Sequence, residues 1–221
     1  MAKLPKIIYL MGPPGAGKGT QAKLLCEAVD YHNFSTGDAF REVARKDTDL
    51  GHRVKEIIEN GFLAPPEMAA EIVIDAVQQY LPDTGLVFDG TPRTVKEAEI
   101  IDEYFLAQGS GRPLVIFLQL DKAEMIKRNS QRKFCLGISG DFPVVTKADK
   151  DKCAQAGGHI GTRPDDEPEK FATRWEQFMT LTHPVVEQYR AQDMFHELDG
   201  MKSIPDVQQQ ITAVIDSYES D

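Results

Sequence analysis

A chain of 221 residues can bury one sizeable α/β core, with or without insertions, but two independent domains would be cramped. Apolar residues at 41% and charged residues at 27% are ordinary globular usage, which argues against disorder and fibres, and a formal charge of −10 argues against nucleic acid, whose phosphate backbone needs a broad basic face. No apolar run approaches the roughly 20 residues of a membrane span. The opening MAKLPK carries no signal-peptide pattern, and Cys26, Cys135 and Cys153 are too few and too scattered for a disulfide framework, so a reducing, cytoplasmic setting is the default expectation.

Residues 7–21, IIYLMGPPGAGKGTQ, read as a buried strand, a glycine-rich turn and a helix start. Gly12, Gly15 and Gly17 allow backbone N–H groups to turn inward, and the helix that follows points its positive end at an anion. The spacing Gly12-x4-Gly17-Lys18 fits a phosphate-binding loop, with Lys18 as a cation at the β/γ-phosphate level. The hydroxyl expected next is replaced by Gly19, so Thr20 is the residue predicted to face magnesium. The helix continues to Ala28.

Residues 31–41, YHNFSTGDAFR, give a short apolar approach, a turn and a helix capped by Thr36 or Asp38. That helix is expected to stop before Leu50-Gly51, and a second to run from His52 to Glu59. Their thin apolar faces suggest an inserted clamp. A longer amphipathic helix spans 67–80. Residues 85–90 form a buried strand ending in Asp89, placed near the phosphates by the rule that ligands gather at the carboxyl ends of parallel strands. A helix over 95–108, a strand covered on both faces at 113–120 and a helix over 122–133 follow. Between Phe134 and Thr162 glycines and prolines separate short β-prone runs, a candidate flap of small hairpins. Helix resumes over 167–190, then a strand at 194–198 and a helix over 204–218.

Four ordered stretches, GPPGAGKGT at 12–20, FSTGDAFR at 34–41, DGTPRT at 89–94 and RPDD at 163–166, together resemble the adenylate kinase family of nucleoside monophosphate kinases. The resemblance implies a P-loop α/β fold with a five-stranded parallel sheet flanked by helices. It implies a core of residues 1–35, 66–132 and 163–221, a monophosphate-binding insertion at 36–65 and a lid at 133–162. It implies a monomer that moves the terminal phosphoryl group from Mg-ATP to AMP. Gly12, Gly15, Ala16, Gly17, Lys18, Gly19 and Thr20 would cradle the donor, and Thr36, Arg41, Gly90, Arg93 and Glu97 would surround the acceptor. Arg128 would lie against the donor base, Arg132, Arg163 and Arg174 would meet phosphates as the lid shuts, and Asp165 and Asp166 would orient the lid arginines or favour a helix dipole. Thr20 and, through water, Asp89 would hold magnesium.

Three positions depart from the family's pattern. Thr91 stands where phenylalanine is usual. Glu97 replaces a glutamine that reads the acceptor adenine; a carboxylate only accepts hydrogen bonds, which would suit a guanine edge, so GMP is the competitor to test unless Glu97 points to solvent. In the lid, where some relatives bind zinc with two Cys-x2-Cys pairs, this chain has Cys135-x2-Ile138 and Cys153-x2-Ala156, with His159 as a possible third ligand. A lid held by packing rather than zinc is expected. The competing functions are a kinase with a broadened acceptor base (GMP, CMP or UMP), a P-loop kinase for a non-nucleotide molecule, and a nucleotide sensor without turnover.

Overall fold

The computed structural model describes residues 4–81, 83–138, 141–162 and 168–219. Strand β1 (Ile7–Met11) runs through a glycine-rich turn into α1 (Lys18–Val29) and then β2 (His32–Ser35). Helices α2 (Thr36–Ala44), α3 (Asp49–Glu59) and α4 (Pro66–Val77) lead to β3 (Leu86–Asp89), α5 (Val95–Ala107) and β4 (Leu114–Gln119). After α6 (Lys122–Gln131) come three short strands, β5 (Phe134–Leu136), β6 (Phe142–Pro143) and β7 (His159–Gly161), with α7 (Lys147–Gln155) between the last two. Helix α8 (Pro168–Gln177), a π-helical turn (Phe178–Thr182), α9 (His183–Arg190), β8 (Phe195–Asp199) and α10 (Ile204–Glu219) complete the order.

The central sheet is parallel throughout, in the order β2-β3-β1-β4-β8, the five-stranded α/β architecture expected. Helices cover both faces, and β1 shows why its sequence is apolar without alternation. Ile7, Tyr9 and Met11 pack on one side with Phe88, Ile101 and Val186, while Ile8 and Leu10 pack on the other with Leu25, Ile116 and Ile211. Leu10 lies opposite Asp89 and Met11 opposite Phe117, so the turn after β1 emerges at the carboxyl edge of the sheet between β3 and β4. A polar cluster lies within this core. The hydroxyls of Tyr9 and Tyr189 donate to the two oxygens of Asp102 at 2.8 and 2.7 Å, tying β1, α5 and α9 together.

Local differences from the sequence reading have identifiable causes. Ser35 caps α2 by accepting from the Asp38 N–H, so Thr36 is the first helical residue and neither Thr36 nor Asp38 is the cap. Gly51 does not break the chain. Thr48 caps α3, and Gly51 lies inside it, where a Cβ would sit 2.1 Å from the Lys46 carbonyl oxygen; the glycine is there for a close approach. A small apolar cluster around Val54, Met68 and Ile72 joins α2, α3 and α4. The helical stretch expected over 167–190 is α8 and α9 joined by the π turn, whose Thr182 hydroxyl donates to the Arg93 carbonyl at 2.9 Å.

The flap contains a helix as well as hairpins. Thr146 and Asp149 form a reciprocal cap for α7, which returns Cys153 to β5. There Cys135 and Cys153 are joined in a disulfide, both sulfurs buried and the Cα atoms 5.5 Å apart. Gly158 leaves room for it, since a Cβ at that position would lie 2.5 Å from the Cys135 sulfur. Two of the three cysteines thus form a single disulfide where none was expected from their number and spacing, and they give no support for a reducing compartment. Sulfurs bonded to each other are not thiolate ligands, and no metal-holding group of three or more His, Cys, Asp or Glu occurs among the described residues. Nor, among those residues, is any helix long and apolar enough to cross a membrane.

Denatured, unreduced protein should expose one reactive thiol, Cys26, and three after reduction, as counted with a chromogenic disulfide reagent. Asp102→Ala leaves two buried phenol hydroxyls without their acceptor and should lower the unfolding free energy by about 2 to 4 kcal/mol, read from the denaturant midpoint.

Candidate active site

The turn after β1 is built for close approach. Gly12, Gly15 and Gly17 all have positive φ, and a Cβ on Gly12 would sit 2.6 Å from the Leu118 carbonyl oxygen of β4. Ala16, buried, closes the turn by donating its N–H to the Pro13 carbonyl at 3.2 Å. Gly17 caps α1 with no side chain, so the first N–H groups of α1 are not taken by a capping side chain. The departure at Gly19 also has a physical reason. A Cβ there would lie 2.7 Å from Oδ2 of Asp89, so the carboxylate ending β3 occupies the space that a side chain at 19 would need, and the first hydroxyl of α1 falls to Thr20. Two oxygen donors of this kind, carboxylate and hydroxyl, suit a hard cation.

Lys18 donates from Nζ to the Gly12 and Pro13 carbonyls at 2.9 and 3.0 Å. Burial pushes its ammonium down to about 8; Asp89 opposes that fall, while the positive charges of Arg93, Arg174 and Arg132 add to it. Arg93 is held in the same field. Its guanidinium is pushed below its usual range first by burial and then by Arg174 and Arg41, with Glu97 and Asp89 acting the other way. Cations drawn from distant parts of the sequence thus act on Lys18 and on Arg93, with Asp89 opposing them at both, an arrangement able to bind a polyanion and to stabilise charge developing on it.

The loop between β3 and α5 supplies Arg93. Its Nε donates to the Gly90 carbonyl at 2.6 Å, its own carbonyl accepts from Thr182, and the Thr91–Pro92 peptide is cis. Glu97 is only 2% exposed, so it does not point to solvent. Its Oε1 accepts from the Thr91 hydroxyl at 2.7 Å and its Oε2 from the Arg93 backbone N–H at 3.0 Å. Burial raises its carboxyl affinity for a proton, and those hydrogen bonds together with the Arg93 charge pull it back.

At the other sequence-predicted positions, Arg41 pairs with Asp38 beside Gly37 at the start of α2, and the buried Thr36 hydroxyl has no partner among the described residues. Arg128 is turned toward the loop after β8, donating to the Gly200 and Met201 carbonyls and pairing with Glu124. Arg132, at the end of α6, stacks its guanidinium 4.4 Å from the Phe134 ring. Arg163, Asp165 and Asp166 lie outside the described residues. Sequence reasoning missed Asn129, fully buried and packed against Gly15, whose Cβ would sit 2.9 Å from the amide nitrogen. A signal existed: Asn129 is one turn from Met125 on the buried face of α6, an odd place for an amide. It missed Thr182 as well.

The family model described as adenylate kinase matches residues 10–194. Among similar proteins, the adenylate kinase of Thermosipho africanus is 34% identical over 94% of this chain and 98% of its own length. That of Archaeoglobus fulgidus is 34% identical over 96% of this chain and 99% of its own length, and that of Alkaliphilus oremlandii 36% identical over 90% and 94%.

An anion seated beside Lys18 raises its proton affinity, so the complex holds more protons than the free protein and binding weakens as pH rises above about 8. Calorimetry of inorganic tripolyphosphate at pH 8, in buffers of different ionisation heat, should show uptake of up to about half a proton more in the wild type than in Lys18→Met. The increment should vanish at pH 6.5, where Lys18 is already charged.

Proposed function

Because the chain belongs to the adenylate kinase family, we propose that it reversibly transfers the terminal phosphoryl group of Mg-ATP to AMP, giving two ADP. The observation that carries this reading is the glycine turn at the carboxyl edge of a parallel sheet, with Lys18 folded over it and Asp89 against Gly19, where Arg93, Arg132 and Arg174 act on Lys18 and Arg41 and Arg174 on Arg93. Phosphoryl transfer spreads negative charge over oxygens while donor and acceptor are held in line, so its catalysis is positioning and electrostatics, and clustered cations are what it requires.

In this reading the N–H groups from Gly15 to Thr20 and the Lys18 ammonium hold the donor's β- and γ-phosphates. Arg41, Arg93 and the unpartnered Thr36 hydroxyl take the acceptor phosphate, with Gly90 letting the loop pass close by. Arg132 and Arg174, together with Arg163, meet the group in transit, and Arg128 borders the donor base. An attacking phosphate whose second pKa is about 6 is largely deprotonated at neutral pH, so no general base is needed. Thr20 and Asp89 would hold the magnesium of the nucleotide, which neutralises charge on the β- and γ-phosphates when bound.

We further assign residues 36–65 as a clamp over the acceptor and 133–162 as a lid over the donor, the rest being core. The lid has its own three-stranded sheet, which supports its separate movement, while the clamp leans on Met68 and Ile72 of α4 through a small apolar cluster apart from the main core. Closure would exclude water and limit hydrolysis of the donor.

A coupled assay with ATP and a panel of AMP, GMP, CMP and UMP tests the assignment, with AMP expected as the preferred acceptor. Lys18→Ala and Arg93→Ala should each lower kcat by about a thousandfold or more with little change in thermal unfolding. Near wild-type turnover in both variants would remove the assignment.

A further inference from the structure

A glutamate in the first turn of a helix ordinarily lies in water, where its charge complements the helix dipole. Glu97 does not. Its carboxylate is buried, and both oxygens serve the loop that carries Arg93, one through the Thr91 hydroxyl and one through the Arg93 backbone N–H. The same loop is fastened at two further points, from Arg93 Nε to the Gly90 carbonyl and from the Thr182 hydroxyl to the Arg93 carbonyl. Arg93 is therefore held by its backbone donor, its backbone acceptor and its side chain at once. Glu97 also contributes the leading electrostatic attraction acting on the guanidinium, against the repulsion of Arg174 and Arg41. Thr94 fixes Glu97 in turn, capping α5 by accepting the Glu97 N–H at 3.1 Å.

We propose that Glu97, with Thr91 as its partner, is a positioning residue that presents Arg93 to the acceptor phosphate, and does not select the acceptor base. The inference rests on the kinase reading above, in which Arg93 takes that phosphate. A base-reading carboxylate should keep an oxygen directed at the base, whereas each oxygen of Glu97 has a donor inside the loop. Thr91 supports the same role. Its hydroxyl is buried at 1% exposure and its donor function is taken by Glu97, so an apolar side chain at 91 would strip the carboxylate of one of its two donors.

The test uses the full chain with Glu97→Gln, Glu97→Ala and Thr91→Val, each first checked for folding by thermal unfolding. Initial rates are measured with varied AMP, varied GMP and varied ATP, and AMP binding is measured by calorimetry. Glu97→Ala should raise the KM and Kd for AMP by about tenfold to a hundredfold, the span of a hydrogen bond to a charged group, while the KM for ATP stays within twofold of wild type. Thr91→Val should move the same constants in the same direction by less. Glu97→Gln can still accept from the Arg93 N–H while its amide donates to Thr91, so it should recover most of the loss. In all three variants the ratio of kcat/KM for AMP over GMP should remain that of the wild type.

A shift of tenfold or more in that ratio in Glu97→Gln would overturn the inference, since the side chain would then be reading the base. Unchanged AMP affinity in both Thr91→Val and Glu97→Ala would overturn it too. A wild type inert toward every acceptor would instead overturn the kinase reading, and the calorimetric comparison of AMP affinity would still decide whether Glu97 acts through Arg93.

Discussion

Cations gathered into one cleft repel each other, and Lys18 registers the effect: its ammonium holds its proton less tightly because it is buried and because the positive charges of Arg93, Arg174 and Arg132 act on it. A protein keeps such a cluster only if the elements carrying it are fixed by something stronger. Here that is the parallel sheet, whose strands are covered on both faces and whose carboxyl edge delivers the glycine turn from β1 and Asp89 from β3 side by side. The two carboxylates at this edge divide the work. Asp89 offsets the charge of Lys18, and Glu97 offsets that of Arg93 while holding its backbone. The balance left over is positive, in a chain whose net charge is −10. An anionic ligand relieves the strain of that local excess, so the same electrostatics that cost stability in the free protein favour binding.

How much of this could be read from the sequence depended on whether the signal was local. The strands β1, β3 and β4 were legible because burial on both faces writes a continuous apolar run, and the phosphate turn because positive φ and close approach leave glycines at fixed spacing. Gly51 misled for the same reason in reverse. A glycine reads as a helix break, but here it marks close backbone contact with Lys46 and Val43, which only the folded chain brings near. Helix α7 was hidden by composition: it is mostly polar, with Cys153 its buried residue, and its evidence was the cap pair Thr146 and Asp149 rather than any periodicity.

The disulfide shows a different limit. Cys135 and Cys153 were noticed as half of a possible metal site, and their count argued against a disulfide framework, yet a framework is not needed for one bond. What decides pairing is whether the turn after α7 brings Cys153 back under β5, and that turn rests on Gly157 with positive φ and on Gly158 passing against both sulfurs. A covalent link across 18 residues fixes the lid's small sheet against its helix by removing freedom from the unfolded loop, about 3 kcal/mol in the chain-entropy view. It supplies to a short, polar, poorly cored segment the constraint that its few apolar residues cannot.

Thr91 and Glu97 carry the same lesson into the site. Read singly along the chain, one looked like a lost apolar contact and the other like a changed base reader. In the fold they are a donor and an acceptor 2.7 Å apart, so each accounts for the other. A buried carboxylate at the start of α5 would be costly beside a phenylalanine and is tolerable beside a hydroxyl, an N–H and a guanidinium. A buried threonine hydroxyl likewise needs an acceptor, and Glu97 is the one it has. The two departures therefore form one polar unit built behind Arg93, and its consequences should be sought at the acceptor phosphate before they are sought at the base.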